Sequence, residues 1–326
     1  MPKVPESPHE DDPRAARRTV AARRARSHTA EQQRMDEIDA LAGNGLDPDQ
    51  RWSTWRSVTK GQRGPDPIPD WLVTADAAVD TELGILKTGK EADAYLLERA
   101  VPDGAAGHAD PAAADGLLDG RSARRCLLVA KRYRGADHRL FERDTTYTEG
   151  RTVRRTRDRR ALEDRKSTWG RAVSAGQWAD SEFAALSAAW SAGAAVPYPV
   201  QIDGTELLME FIGTEQPDGE LVAAPRLTRE RPDRDLLESY WEQLTGGMSV
   251  LARLGYAHGD LSPYNVLVQG ERLVIIDLPQ VVDLAGNPFA ADVLLRDCRT
   301  VCTWFAGRGL VADPDALFAE LLAQAW

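Results

Sequence analysis

The stretch His258-Gly-Asp-Leu-Ser-Pro-Tyr-Asn-Val-Leu-Val, 258–268, constrains this chain more than any other. It follows a long amphipathic segment, 235–255, and runs into apolar residues. Twelve residues past Asn265 a second carboxylate, Asp277, ends the apolar run Leu-Val-Ile-Ile. A carboxylate at the end of a buried strand faces a large desolvation cost unless it is paired or metal-bound. Mg²⁺ prefers such hard oxygen ligands. Phosphoryl transfer asks for little covalent help. It needs a carboxylate near the acceptor hydroxyl and oxygen ligands that hold a divalent cation on the phosphates. Asp260 and Asn265, five apart, have the spacing such a loop requires, with Asp260 as candidate base and Asn265 as candidate metal ligand. Alone, Asp260 reads as a turn residue or a helix cap. Beside His258, Asn265 and Asp277 it reads as part of a site.

The rest of the composition sets the frame. With 326 residues, 42% of them hydrophobic, the chain can bury a substantial core as one large domain or two lobes. No run of about 18 apolar residues exists, so no membrane span is expected. The polar N-terminus MPKVPESPHEDDPR lacks the apolar core of a secretory signal. Cys126, Cys298 and Cys302 form no disulfide framework. Cys298 and Cys302, four apart on an expected helix, have no His or further Cys nearby to complete a metal site and read as buried thiols. The expected compartment is the cytoplasm. A net charge of −10 does not describe a general nucleic-acid surface. The basic run RTVRRTRDRRALEDRK, 151–166, is the local exception. It reads as a solvated loop, with an RNA or ribonucleoprotein contact as the alternative, in which case binding should weaken steeply with salt.

Residues 1–67 are expected to be a disordered or partly helical extension and a Pro- and Gly-containing linker, with folded sequence from about residue 68. LGILKTGKEADAYLLER, 83–99, reads as strand, Gly turn, strand. The Ala-, Gly- and Asp-rich 101–125 reads as a surface loop. CLLVAKRYR, 126–134, suits a buried strand. WADSEFAALSAAW, 178–190, is a helix by spacing, and VPYPVQIDGTELLMEFIG, 196–213, two strands about Asp203-Gly204. In 235–255, Leu237, Tyr240, Trp241, Leu244, Met248 and Leu251 form the buried stripe of a helix. ERLVIIDLPQVVD, 271–283, is a buried strand around Asp277, and 289–326 is helical.

Two further groups belong to the candidate chemistry. GILKTGKE, 84–91, nearly fits the Walker phosphate-loop pattern but has Glu91 where a hydroxyl should bind the metal, and continues as strand instead of helix. It reads better as a turn folding over phosphates: Gly89 lets the backbone approach, and Thr88, Lys90 and Glu91 flank it with N–H donors. Lys131 ends the run Leu-Leu-Val-Ala and from there can reach the α- and β-phosphates, oriented by a carboxylate for which Glu182 is the natural candidate.

Together these pieces resemble the RIO family of atypical protein kinases, closest to its first subfamily. TGKEADAY resembles that family's phosphate loop STGKEANVY, HGDLSPYNVLV its catalytic HxDLSxYN, IIDLPQVVD its metal loop IIDxxQ, LLMEFIG its hinge, WADSEFAALSAAWSAGAAVPYPV its helix C and following strand, and NPFAADVLLRDCRTVCTWF its C-terminal helix. The likeness runs from about 80 to 306. It implies an α+β, two-lobed protein-kinase-like fold with a strand-rich N-lobe (68–209), a hinge (210–214) and a reduced helical C-lobe (215–326), without an activation segment. It implies ATP and Mg²⁺ (or Mn²⁺) as cofactors and serine/threonine kinase activity with autophosphorylation. Lys131 would bind ATP phosphates and pair with Glu182; Thr88, Gly89, Lys90 and Glu91 would form the phosphate loop; Glu210 and Ile212 would offer backbone groups to adenine. Asp260 would be the catalytic base, and Asn265 and Asp277 would bind the metal. An ATPase conformational switch that phosphorylates its own Asp277, and a small-molecule phosphotransferase of the aminoglycoside type, are the alternatives. The protein substrate stays open. The sequence departs from the family in the long 100–125 loop, the Arg-rich 143–176, Pro263 and Pro279.

Overall fold

The computed structural model describes residues 46–102, 124–134 and 168–325, with side chains from residue 175 onward in the last of these. The chain divides into an N-terminal unit, residues 1–50, and a body, Arg51–Trp326. The basic run 151–166 and most of the loop 100–125 lie outside the described residues. Among the described residues no helix is long and apolar enough to cross a membrane.

The strand-rich part comes first. Strands β1 (Gln50–Trp52), β2 (Val79–Thr88), β3 (Ala92–Ala100) and β4 (Arg125–Tyr133) are followed by helix α1 (Thr168–Ser191), then β5 (Pro199–Asp203) and β6 (Glu206–Glu210). They form one six-stranded sheet in the order β1-β2-β3-β4-β6-β5. The strand pairs predicted at 83–99 and 196–213 are present as antiparallel β2–β3 and β5–β6. Side chains alternate across a strand. In β4 that period puts Cys126, Leu128 and Ala130 into one buried cluster with Trp55, Leu72, Val73, Tyr198 and Val200. Val129, Lys131 and Tyr133 take the other face. Helix α1 begins ten residues earlier than the predicted start at 178, because Gly170 and Gly176, poor helix formers, are carried inside it.

The segment 51–67 corrects an expectation. Instead of serving as a linker, it packs on the sheet face turned away from the helices. Trp55 and Val58 are buried, Gly64 N–H donates to the Val200 carbonyl at 2.8 Å, and Arg63 stacks on Trp55. Burying an indole contributes more than Pro and Gly in the same stretch take away.

Past β6, a hairpin of β7 (Gly213–Glu215) and β8 (Leu221–Ala223) leads into the helical part. Helix α2 (Arg234–Arg253) is N-capped by Asp233, whose carboxylate accepts from Leu236 N–H at 2.9 Å. The predicted stripe is buried except Trp241, which is half-buried and packs edge-on against Phe305. Short β9 (Tyr256–Ala257), β10 (Val266–Gln269), β11 (Arg272–Ile275) and β12 (Val282–Asp283) carry two loops, and α3 (Ala290–Ala306) and α4 (Pro314–Gln324) close the core. The predicted continuous strand 271–283 is interrupted: β11 ends at Ile275 and the chain turns at Asp277, the one non-glycine with positive φ (68°) among the described residues. All three cysteines are buried free thiols, as expected.

One charge pair lies wholly inside the N-lobe. Asp80 and Arg99, opposite each other on β2 and β3, exchange a bidentate contact at 2.6 and 2.9 Å with both side chains fully buried. Arg99 also reaches Gln201, which donates to Thr54 at 2.7 Å. Removing one member of a buried pair strands the other charge. We expect Asp80→Ala to lower unfolding free energy by about 3–5 kcal/mol in urea titrations. A loss under about 1 kcal/mol, the range of an exposed pair, would show that the pair is dispensable.

Candidate active site

Three distant segments meet at one ammonium group. Lys131, at the end of β4, places Nζ 2.7 Å from Glu182 Oε1 on α1 and 2.6 Å from Asp277 Oδ1 just past β11. The Lys131–Glu182 contact expected from sequence is thus present, and Asp277 joins it. Burial alone would lower the Lys131 pKa, but the two carboxylates outweigh it and raise the value above that of a free lysine. For Asp277, burial raises and Lys131 lowers the pKa; the lysine prevails and holds the carboxyl below its ordinary value. Glu182 Oε1 also accepts from Leu278 N–H at 3.2 Å, and its Oε2 accepts from the Tyr133 hydroxyl. Burial, then Glu182, pushes the Tyr133 phenol well up, so it stays a donor. Tyr133 was missed in the sequence. Its signal was position: two residues after Lys131 on a strand, hence on the same face.

The loop between β9 and β10 holds Asp260 and Asn265. Asn265 Nδ2 donates to the Asp260 carbonyl at 2.9 Å and to its Oδ2 at 3.3 Å, which leaves Asn265 Oδ1 as an acceptor. His258 Nε2 contacts the Ile276 carbonyl at 3.1 Å, tying this loop to the Asp277 turn. Gly259 has φ 88°, and a Cβ there would meet the Gln280 carbonyl at 2.3 Å. No other residue fits. The backbone of the loop is gripped from α3: buried Asp297 accepts Gly259 N–H at 2.8 Å and Leu261 N–H at 3.1 Å, while Arg296 donates to the Gly259 carbonyl. Burial raises the Asp297 pKa, with His258 and the two amides pulling against it. Sequence reasoning missed Asp297 as well; its signal was one acid inside the apolar run Val-Leu-Leu-Arg-Asp-Cys-Arg-Thr-Val.

Thr88, Gly89, Lys90 and Glu91 form the turn from β2 to β3. Gly89 N–H donates to the Ala92 carbonyl at 3.0 Å, and a Cβ at Gly89 would stand 2.6 Å from that oxygen. Glu91 Oε1 accepts from Gln280 Nε2 at 3.2 Å, linking this turn to the segment after Asp277. Burial, then Asp277, raises the Glu91 pKa. At the far end, Glu210 N–H is taken by the Tyr198 carbonyl, its side chain by Tyr198 N–H, and the Ile212 carbonyl by Ala224 N–H.

These groups line one cleft of about 1340 Å³, with Val129, Met209, Phe211 and Leu267 as apolar walls. A smaller cavity of about 660 Å³ opens beside it, lined by Lys87, Arg226, Ser262, Tyr264 and Asn265, and shares Asp260 and Asp277 with the cleft. Of the residues singled out from sequence, Thr88, Gly89, Lys90, Glu91, Lys131, Glu182, Glu210, Ile212, Asp260 and Asp277 line the larger space and Asn265 the smaller, whereas His258 lines neither and is buried behind the loop. Among the described residues no three His, Cys, Asp or Glu side chains converge on a metal. One carboxylate and one amide oxygen, Asp277 and Asn265, suit a Mg²⁺ whose remaining ligands are phosphate oxygens and water.

The RIO domain family model matches residues 138–317. The RIO-type serine/threonine-protein kinase Rio1 of Haloferax volcanii is 35% identical over 141 residues, 43% of this chain and 46% of that protein. Its Thermoplasma acidophilum namesake is 32% identical over 140 residues, 43% of this chain and 69% of that protein. Against the first, the chain spans about half the relative's length. The Rio2 kinase of Chaetomium thermophilum, solved as an ADP/Mg²⁺-phosphoaspartate complex, is 22% identical, covers 74% of this chain and 62% of its own, and superposes with a TM-score of 0.48.

Asp297→Asn keeps the size of the side chain but can accept at only one oxygen. We expect it to cost about 1–3 kcal/mol and to speed hydrogen exchange at the Gly259 and Leu261 amides; unchanged protection there would mean the clamp does not hold the loop. The Asp277 pair carries a pH signature. A carboxyl held below its ordinary value of 3.8 stabilises the fold above that pH and loses its contribution as pH falls through the lowered folded value. The stability gap between the wild type and Asp277→Asn should therefore be constant near neutrality and close only below pH 3.8. A gap that is flat down to acid unfolding would contradict the ion pair.

Proposed function

The chain belongs to the RIO domain family, and from that membership we propose that it is an ATP- and Mg²⁺-dependent protein kinase that phosphorylates serine or threonine hydroxyls, its own included. The observation that carries the reading is the convergence of the Lys131–Glu182 pair, Asp277 and the Asp260–Asn265 loop on one cleft.

Each residue then has a physical task. Lys131, kept charged by its two carboxylates, meets the α- and β-phosphates, and Glu182 fixes its position. Tyr133 and the Leu278 amide in turn fix Glu182. The turn 88–91 lies over the phosphates, with Gly89 letting its backbone close in. Glu210, through its carbonyl, and Ile212, through its N–H, face the adenine. Asn265 Oδ1 and the Asp277 carboxylate would hold Mg²⁺, which when bound neutralises charge on the β- and γ-phosphates. Asp260, oriented by Asn265 Nδ2, accepts the proton of the attacking hydroxyl. The bond from the γ-phosphorus to the β–γ bridging oxygen breaks, a bond from that phosphorus to the hydroxyl oxygen forms, and ADP leaves with the bridging oxygen. Little in this scheme is covalent chemistry by the protein; it is positioning and electrostatics.

The test is incubation with γ-labelled ATP and Mg²⁺, following label on protein and free phosphate together. Acid-stable label on Ser or Thr is expected. Asp260→Asn should reduce it about 10²–10⁴-fold while ATP still binds. Undiminished transfer in that variant would remove Asp260 from its role. Free phosphate with only base-labile label would favour an ATPase that works through an acyl phosphate.

A further inference from the structure

The mechanism above leaves three cations of the cleft without a task, Lys87, Arg226 and Arg229, and only the first two also line the smaller cavity beside it. Lys87 stands on β2 immediately before the phosphate turn, where the family's loop STGKEANVY carries serine. Arg226 follows β8 on the opposite wall, bridged to Leu267 of β10, and its guanidinium is aimed by a hydrogen bond to the Tyr264 carbonyl inside the catalytic loop.

Their location is specific. Lys131 and Lys90 line only the larger cleft, whereas Lys87 and Arg226 line both the cleft and the smaller cavity beside it. The other residues common to the two spaces are Leu86, Asp260 and Asp277. The two cations therefore mark the junction where a group passes from nucleotide to acceptor. Among the described residues neither makes an ion pair within 4.0 Å, and the nearby Asp277 is already committed to Lys131 at 2.6 Å. Partial burial, then Arg226, and also Lys131 lower the Lys87 pKa, with only Asp277 opposing them. Like charges gathered at a partly desolvated junction are unfavourable until an anion enters.

We propose that Lys87 and Arg226 form a two-sided clamp on the γ-phosphoryl group in transit, and that Lys87 confers a preference for nucleoside triphosphate over diphosphate. This rests on the kinase reading and deepens it. While the bond to ADP breaks and the bond to the acceptor hydroxyl forms, charge spreads over the three oxygens of the moving group. Two cations from opposite walls can follow those oxygens, as a lysine confined to the α- and β-phosphates cannot.

The experiment is calorimetric titration of the wild type, Lys87→Met and Lys87→Arg with the Mg²⁺ complexes of a non-hydrolysable ATP analogue and of ADP. Lys87 belongs to neither buried cluster, so Met, which keeps the stem and removes the charge, leaves the fold intact. The wild type should bind the triphosphate more tightly. Lys87→Met should weaken the triphosphate about tenfold or more and leave ADP affinity unchanged, and Lys87→Arg should restore most of the difference. Equal loss for both nucleotides, or no loss for either, overturns the clamp. Unchanged nucleotide affinities with a raised KM for a protein acceptor would place the pair on the acceptor and also overturn it. A wild type that binds neither nucleotide would sink the kinase reading itself, and the clamp with it.

Discussion

A lysine ammonium cannot be taken out of water alone, and much of this structure follows from how Lys131 is compensated. Its two carboxylates come from different layers: Glu182 from the helix behind the sheet, Asp277 from the helical lobe. Satisfying one charge therefore fixes β4, α1 and the turn after β11 against one another. The compensation is itself held: Glu182 is used by Tyr133 and by the Leu278 amide, and Asp277 sits in a left-handed backbone conformation that a non-glycine residue seldom takes. An apolar trio of the same volume would join these elements at less electrostatic cost. What it would lack is a cation and a carboxylate facing the same cleft.

The loop that carries Asp260 and Asn265 obeys a second constraint. Its backbone is held in place while Asp260 and Tyr264 stay exposed. Asp297 meets this from behind, accepting the alternate amides of Gly259 and Leu261, and His258 ties the loop forward to the Asp277 turn. Asp297 and His258, which grip the loop, line neither space.

How much of this was legible depended on distance along the chain. Asp260, Asn265 and Asp277 lie close in sequence, and their types and spacing state a chemistry before any fold is known. Lys131 and Glu182 could be paired because a strand-end lysine demands a carboxylate. Asp297 could not be read that way, since an acid in a helix has many uses and its partners are backbone amides, which leave no trace in a sequence. Trp55 was hidden for a different reason: Pro and Gly around it spoke for a linker, and only the sheet's bare outer face shows what the indole covers. Lys87 sat inside a motif whose familiar letters begin one residue later. The interruption of the strand at Asp277 was equally out of reach, because a positive φ at a non-glycine is imposed by tertiary contacts.

The clamp from α3 has a consequence for a chain still being made. Gly259 and Leu261 wait for a carboxylate 38 and 36 residues further on, and Lys131 waits for one 146 residues away. The strands of the first sheet are all present once Glu210 has been added, whereas the clamp needs Asp297. On a ribosome delivering the chain from its N-terminus, the sheet stands ready well before the cleft has a floor. A nascent chain halted before Asp297 emerges carries Asp260 and Asn265 without the carboxylate that holds their loop.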